Sequence, residues 1–135
     1  LEKRMNPEER ARKLVQDAYN APQDWVQKWL AEPAKPQREL IAYLRGMSHD
    51  VRAMCIKIPP CAIVRTRPGI KLAIPAPGKF GVVMSISDPE CTFRISPHPY
   101  GDYLEGACFE RHIEVIHTQP GLSPDDVRRA IEALR

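Results

Sequence analysis

The chain has 135 residues and weighs 15.3 kDa, enough for one domain with a core and too short for two independent cores or a large multidomain enzyme. Apolar residues make up 43% of it and charged residues 27%, ordinary values for a globular protein, which excludes wholesale disorder. The net charge of +3 is too weak a bias to name a polyanionic partner, and 14 prolines, roughly twice average usage, exclude long unbroken helices.

Residues 1–4 begin with Leu rather than Met and carry no inference. Asn6-Pro7-Glu8-Glu9 then opens a helix, because Asn caps, Pro suits the first helical position and carboxylates complement the positive end of the dipole. Ala11, Leu14, Val15, Ala18 and Tyr19 recur at helical spacing, which predicts a helix over 7–19. Trp25, Val26, Trp29 and Leu30 form the stripe of a second, shorter helix ending near Ala31. After Pro33 and Pro36, Leu40, Ile41, Leu44 and Met47 mark a third, with Gly46 as its stop. Ser48-His49-Asp50 caps one more turn.

From Cys55 onward β-branched residues, Gly and Pro replace Ala, Gln and Glu, with Pro59-Pro60 at the border. Strands are expected over 61–67, 70–74, 81–87, 91–96 and 107–116, separated by the turn signals Pro68-Gly69, Pro77-Gly78 and Asp88-Pro89-Glu90. Val82, Met84 and Ile86 alternate with Val83, Ser85 and Ser87, so one face of that strand is expected to be buried. Residues 97–106 hold two Pro and two Gly and read as a loop. Ser123-Pro124-Asp125-Asp126 caps a last helix whose Val127, Ala130, Ile131 and Leu134 share a face. The expected fold is α+β, with a helical segment over 5–54, a small β unit over 55–118 and a C-terminal helix over 119–135 packed back on it. Five short strands avoid bare edges by curling into a barrel or by being covered with helices.

The stretch 61–116 carries Ala62-Ile63-Val64-Arg65-Thr66-Arg67 as a first strand. Pro77-Gly78-Lys79-Phe80-Gly81-Val82-Val83 then enters a longer one, and Ile113-Glu114-Val115-Ile116 closes the set. This pattern resembles SH3-like barrels, and it is similar to that of accessory subunits of photosynthetic electron transport and of KOW-type modules in transcription and ribosomal proteins. The resemblance implies a shape, a five-stranded antiparallel SH3-like barrel, rather than a chemistry.

Charge is unevenly placed. Lys57, Arg65, Arg67, Lys71 and Lys79 stand in 55–87 without an acidic residue, whereas 88–118 carries six carboxylates against Arg94 and Arg111. Opposed across strands these charges cancel; unopposed, they make a basic face for phosphate or an acidic protein. Arg65 and Arg67 lie two apart, so both forks of donors emerge on one side of a strand.

Cys55, Cys61, Cys91 and Cys108 read as reduced, cytoplasmic thiols in a chain with no secretory signal. No run approaches the roughly 18 apolar residues that cross a bilayer, so no membrane partner is expected. Cys108 and His112, on one side of a continuous strand, would lie about 13 Å apart, too far to share a zinc, and only a bulge or a helical turn there would rescue such a site. No Gly-rich oxyanion loop accompanies any cysteine, and Pro77-Gly78-Lys79-Phe80-Gly81 lacks the spacing and Ser/Thr of a phosphate loop. No catalytic residue, metal or cofactor is therefore expected. The remaining candidates are adhesive. Trp25 and Trp29 serve either the core or a partner, and Tyr100 and Tyr103 suit a loop rim. The expectation is a non-enzymatic accessory or regulatory subunit that binds another protein within a larger complex through Trp25, Trp29, Tyr100 and Tyr103. Arg65, Arg67, Lys71 and Lys79 would set its orientation; the alternative is a nucleic-acid binder using those four cations on phosphates.

Overall fold

A computed structural model describes residues 4–101 and 103–135. Its helices begin where their caps stand. Asn6 Oδ1 accepts from the Glu9 N–H at 2.8 Å and opens α1 (Pro7–Tyr19). Ser48 Oγ accepts from the Val51 N–H at 3.3 Å and opens α4 (His49–Lys57). Ser123 and Asp126 each accept the other's backbone N–H, a capping box that opens α5 (Pro124–Ala133). Between them lie α2 (Trp25–Leu30) and α3 (Gln37–Leu44). The capping signal at Ser48 starts nine residues of helix rather than a single turn. Cys55 is therefore helical, and the change to extended chain comes after Ile58.

Five strands follow: β1 (Ile63–Thr66), β2 (Phe80–Ile86), β3 (Phe93–Ser96), β4 (Gly106–Cys108) and β5 (Ile113–His117). They form one antiparallel sheet in the order β4-β3-β2-β1-β5, so the chain is α+β. The sheet is not closed into a barrel, because β4 and β5 stand at its opposite edges. Its apolar inner face is covered instead by helices, the second of the two ways a small sheet buries itself. Val64, Val83, Phe93, Ile95 and Ile113 pack there with Leu40 and Leu44 of α3, Val51 and Cys55 of α4, and Val127 and Ala130 of α5. Burying each Val, Leu, Ile or Phe among them contributes roughly 1.5–3 kcal/mol.

The strands depart from the sequence pattern in four places. Residues 70–74 form no strand, because the chain from Arg67 to Lys79 crosses the sheet's end as a loop in which Pro75 and Pro77 offer no ladder donor. Ile74, Pro75 and Ala76 are buried in it, and Thr66 Oγ1 donates to the Pro75 carbonyl at 2.7 Å, so the apolar pattern there reports burial without pairing. The expected strand 107–116 is divided by a 3-10 turn over Glu110–His112, where the Phe109 N–H donates to His112 Nδ1 at 3.1 Å and leaves the ladder. A register shift between Val83 and Ser85 inserts a bulge. Met84 is consequently exposed, Val83 joins the inner core and Val82 packs on the opposite face. Cys61 and Cys91, expected to start strands, have left-handed φ of 63° and 56° and sit in the bends before β1 and β3.

The outer face is treated differently. Ile63 and Val82 are covered by Trp25 alone among fully buried residues, with Val26, Trp29 and Phe80 around them. The Gln23 side chain fixes this cover, since its Oε1 accepts from the Phe80 N–H at 2.7 Å while its amide nitrogen lies 3.3 Å from the carbonyls of Phe80 and Pro97. α1 carries its apolar stripe in the open, with Leu14, Val15 and Tyr19 all exposed and only Ala18 buried. Among the described residues, no helix is long and apolar enough to cross a membrane.

Candidate functional site

The loop after β3 brings aromatic rings to α2. Ser96 Oγ, buried at the end of β3, donates to the His98 carbonyl at 2.8 Å, and the Tyr100 N–H donates to His98 Nδ1 at 3.0 Å. These local bonds curl the chain so that the His98 ring lies 6.0 Å from Tyr100 and 5.4 Å from Tyr103. The Trp29 ring meets Tyr100 edge-on at 5.6 Å, and Trp25 lies 6.3 Å from His98. Such tilted and edge-on pairs are the favoured geometries of aromatic contact.

Two charged residues of the α2 region complete the cluster. Lys28 Nζ stands 4.3 Å above the Tyr100 ring, and the Tyr100 hydroxyl donates to Glu32 Oε1 at 2.5 Å. Desolvation and then the hydrogen bond and charge of Glu32 push the Tyr100 phenol up to about 12, so this hydroxyl stays a donor throughout the neutral range. Tyr100 remains 43% exposed. The cluster is thus a ring-lined patch with one face in solvent, in which the Tyr100 hydroxyl and the Trp29 indole N–H already have partners.

Of the four aromatic candidates, the structure brings Trp29, Tyr100 and Tyr103 to this patch. Trp25, 3% exposed, belongs to the core beneath it. Its indole N–H finds no acceptor among the described residues. Trp29 is anchored from below, its indole N–H donating to the Cys61 carbonyl at 3.0 Å and its own carbonyl accepting from Gln119 Nε2 at 2.8 Å.

The basic candidates divide. Arg65 is paired in register with Glu114 across β1 and β5, and Arg65 Nε lies 2.5 Å from Glu114 Oε1. Lys57, at the end of α4, meets Glu110 of the 3-10 turn at 3.7 Å, so part of the basic stretch is cancelled, Arg65 across strands and Lys57 from a helix end. Arg67, Lys71 and Lys79 make no ion pair among the described residues. Lys71 and Lys79 lie in the β1–β2 loop, and Arg67 is exposed where it leaves β1. This loop adjoins the aromatic one at Gly106, where a Cβ would come within 2.3 Å of the Ile74 carbonyl oxygen. Only glycine permits that approach.

His98, Lys28, Glu32 and Gln23 had no place among the sequence candidates. Lys28 and Glu32, four apart beside Trp29, carried a signal on their spacing alone; the other two act through tertiary contacts that no local pattern announces. Burial pushes the Cys55 thiol up to about 12, that of Cys108 to about 11 and that of Cys61 upward, which keeps all three protonated at neutral pH. Among the described residues, no three His, Cys, Asp or Glu gather closely enough to hold a metal ion.

Compared with models of protein families, with curated proteins and with solved structures, the chain matches none.

Proposed function

We propose that this chain is a non-enzymatic protein-binding module, an accessory or regulatory subunit of a larger assembly, whose contact surface is the aromatic rim formed by Trp29, Tyr100 and Tyr103. The observation that carries the reading is the joining of α2 to the loop after β3 in one ring-lined, half-exposed patch. Tyr and Trp present large, stiff contact area at low entropic cost and dominate binding hot spots. Lys28 and Glu32 add one charge of each sign beside the rings, an arrangement that selects a partner's orientation rather than its overall charge.

The SH3-like reading of the β unit belongs to the same proposal. It is supported by the meander order with β1 between β2 and β5, by the long β1–β2 loop and by the 3-10 turn between β4 and β5. Lys71 and Lys79 in the β1–β2 loop would add on-rate toward an acidic partner.

A second reading, nucleic-acid binding, is favoured by one observation, the absence of ion partners for Arg67, Lys71 and Lys79 among the described residues. Affinity capture from the native host, with and without nuclease treatment, separates the two. The protein-binding reading expects a partner that survives nuclease and moderate salt. Phosphate binding expects retention on a nucleic-acid column that falls with a log–log salt slope of roughly −0.7 to −0.9 per contact; such a slope, with nothing left after nuclease, replaces the first reading by the second.

A further inference from the structure

A second concave site lies away from the aromatic rim, where α3, the bend at Pro60–Cys61 and the turn before α5 meet. It is a pocket of about 240 Å³, below the roughly 300–1,000 Å³ of sites that take drug-sized ligands, so its occupant is a small molecule rather than a nucleotide or a peptide. Leu40, Tyr43, Pro60 and Leu122 form its apolar walls, and Lys35 and Glu39 bring one charge of each sign to its lining.

The pocket is built rather than incidental. The Lys35 N–H donates to the Pro120 carbonyl at 3.0 Å. Gly121, at φ +83°, lies so close to Lys35 that a Cβ there would sit 2.3 Å from its carbonyl oxygen. On the opposite wall the Cys61 N–H donates to the Val83 carbonyl at 3.0 Å, and the Cys61 carbonyl accepts from the Trp29 indole. This double anchoring holds Cys61 in its left-handed conformation. Backbone on both sides is therefore fixed before any ligand arrives, which lowers the ordering cost of binding.

Neither charged group is spent internally. Lys35 and Glu39 have no ion-pair partner among the described residues, whereas Arg129, on the far side of Lys35, is engaged by Asp126. Both charges bear on the pocket interior: beyond the effect of burial, Lys35 pulls the Cys61 thiol down and Glu39 pushes it up.

We propose that this pocket binds a free α-amino acid with an apolar side chain, its carboxylate on Lys35, its ammonium on Glu39 and its side chain among Leu40, Tyr43, Pro60 and Leu122. A fatty acid would satisfy Lys35 and leave Glu39 facing apolar chain; an alkylamine would do the reverse. Only a zwitterion with an apolar body uses all three features. This inference stands apart from the docking reading above, since it uses none of the rim residues.

The test titrates the full chain with L-leucine, with isocaproate (leucine without its ammonium), with isoamylamine (leucine without its carboxylate) and with glycine, following backbone amide chemical shifts. L-leucine is expected to bind saturably with Kd between about 10 μM and 1 mM, shifting Tyr43, Cys61 and Leu122, and each of the other three at least about tenfold more weakly. Lys35→Gln is expected to weaken leucine about tenfold while leaving isoamylamine unchanged, and Glu39→Gln to weaken leucine similarly while leaving isocaproate unchanged. Glu39 is exposed and Lys35 half-buried, and unchanged melting temperatures verify that the variants fold. Absence of saturable binding by leucine, equal binding of leucine and isocaproate or isoamylamine, shifts confined to another part of the chain, or full leucine affinity in both variants would overturn the proposal.

Discussion

The two faces of the sheet solve burial in different ways. The inner face meets α3, α4 and α5 in one large cluster that includes Phe93, Leu40, Leu44, Ile95 and Ile113. The outer face relies on Trp25 over Ile63 and Val82 and leaves Met84 and Ile116 in solvent. Most of the buried core thus lies on the inner side, and the exposed apolar residues Met84 and Ile116 on the outer side. The lesson is that a short, proline-bracketed helix serves two ends: Trp25 closes a minor core, and Trp29, one turn on, carries the aromatic patch.

Substitutions on the two faces should therefore differ in size. Phe93→Ala, which empties a fully buried position in the inner cluster, is expected to cost about 3–5 kcal/mol by urea or thermal unfolding. Trp25→Ala should fall at the low end of that range, and Trp25→Phe should cost about 1 kcal/mol or less. Phenylalanine keeps most of the contact and removes an indole N–H that has no acceptor among the described residues, a burial that itself costs roughly 1–3 kcal/mol. If Trp25→Phe is as damaging as Trp25→Ala, the outer core depends on that N–H and the contrast between faces is wrong.

Much of this was legible from residue chemistry. Asn6 and Ser123 announced whole helices, and Ser48 the start though not the length of a third, because a capping side chain acts within four residues of itself. The failures share the opposite cause. The loop from Arg67 to Lys79 alternates like a strand because Ile74 is buried against Gly106, a contact 32 residues away in sequence. The bulge at Met84 depends on register with β3, and the 3-10 turn at Glu110–His112 on a ring nitrogen of His112 taking the Phe109 N–H, which strand alternation does not report. At the site, Trp29, Tyr100 and Tyr103 were recognisable as adhesive residue types, but their meeting with His98 follows from the Ser96 hydroxyl turning the chain back, which spacing does not encode.

Smaller effects sharpen the comparison further. Asp126 is held below the usual carboxylate range, first by its hydrogen bonds to the Ser123 hydroxyl and N–H and then by Arg129. A carboxyl lowered in the folded state contributes stability that is complete above the unfolded value of about 3.9 and is lost as pH falls through the folded value. Stability measured against pH should therefore decline on the acid side, and Asp126→Asn should flatten that part of the curve while leaving its neutral shape intact. Least of all should change on the exposed stripe of α1. Leu14→Ala is expected to alter stability by about 0.5 kcal/mol or less, because Leu14 is 47% exposed; a larger loss in unfolding experiments would mean that α1 is covered.

The most direct test is the dissociation constant of the nuclease-resistant partner for the wild-type chain and for Tyr100→Ala, with melting temperatures recorded beside it. The aromatic-rim account predicts that Tyr100→Ala melts as the wild type does and binds about 30-fold more weakly, the loss of a hot-spot residue at roughly 2 kcal/mol. An unchanged dissociation constant in a fully folded Tyr100→Ala chain would contradict it.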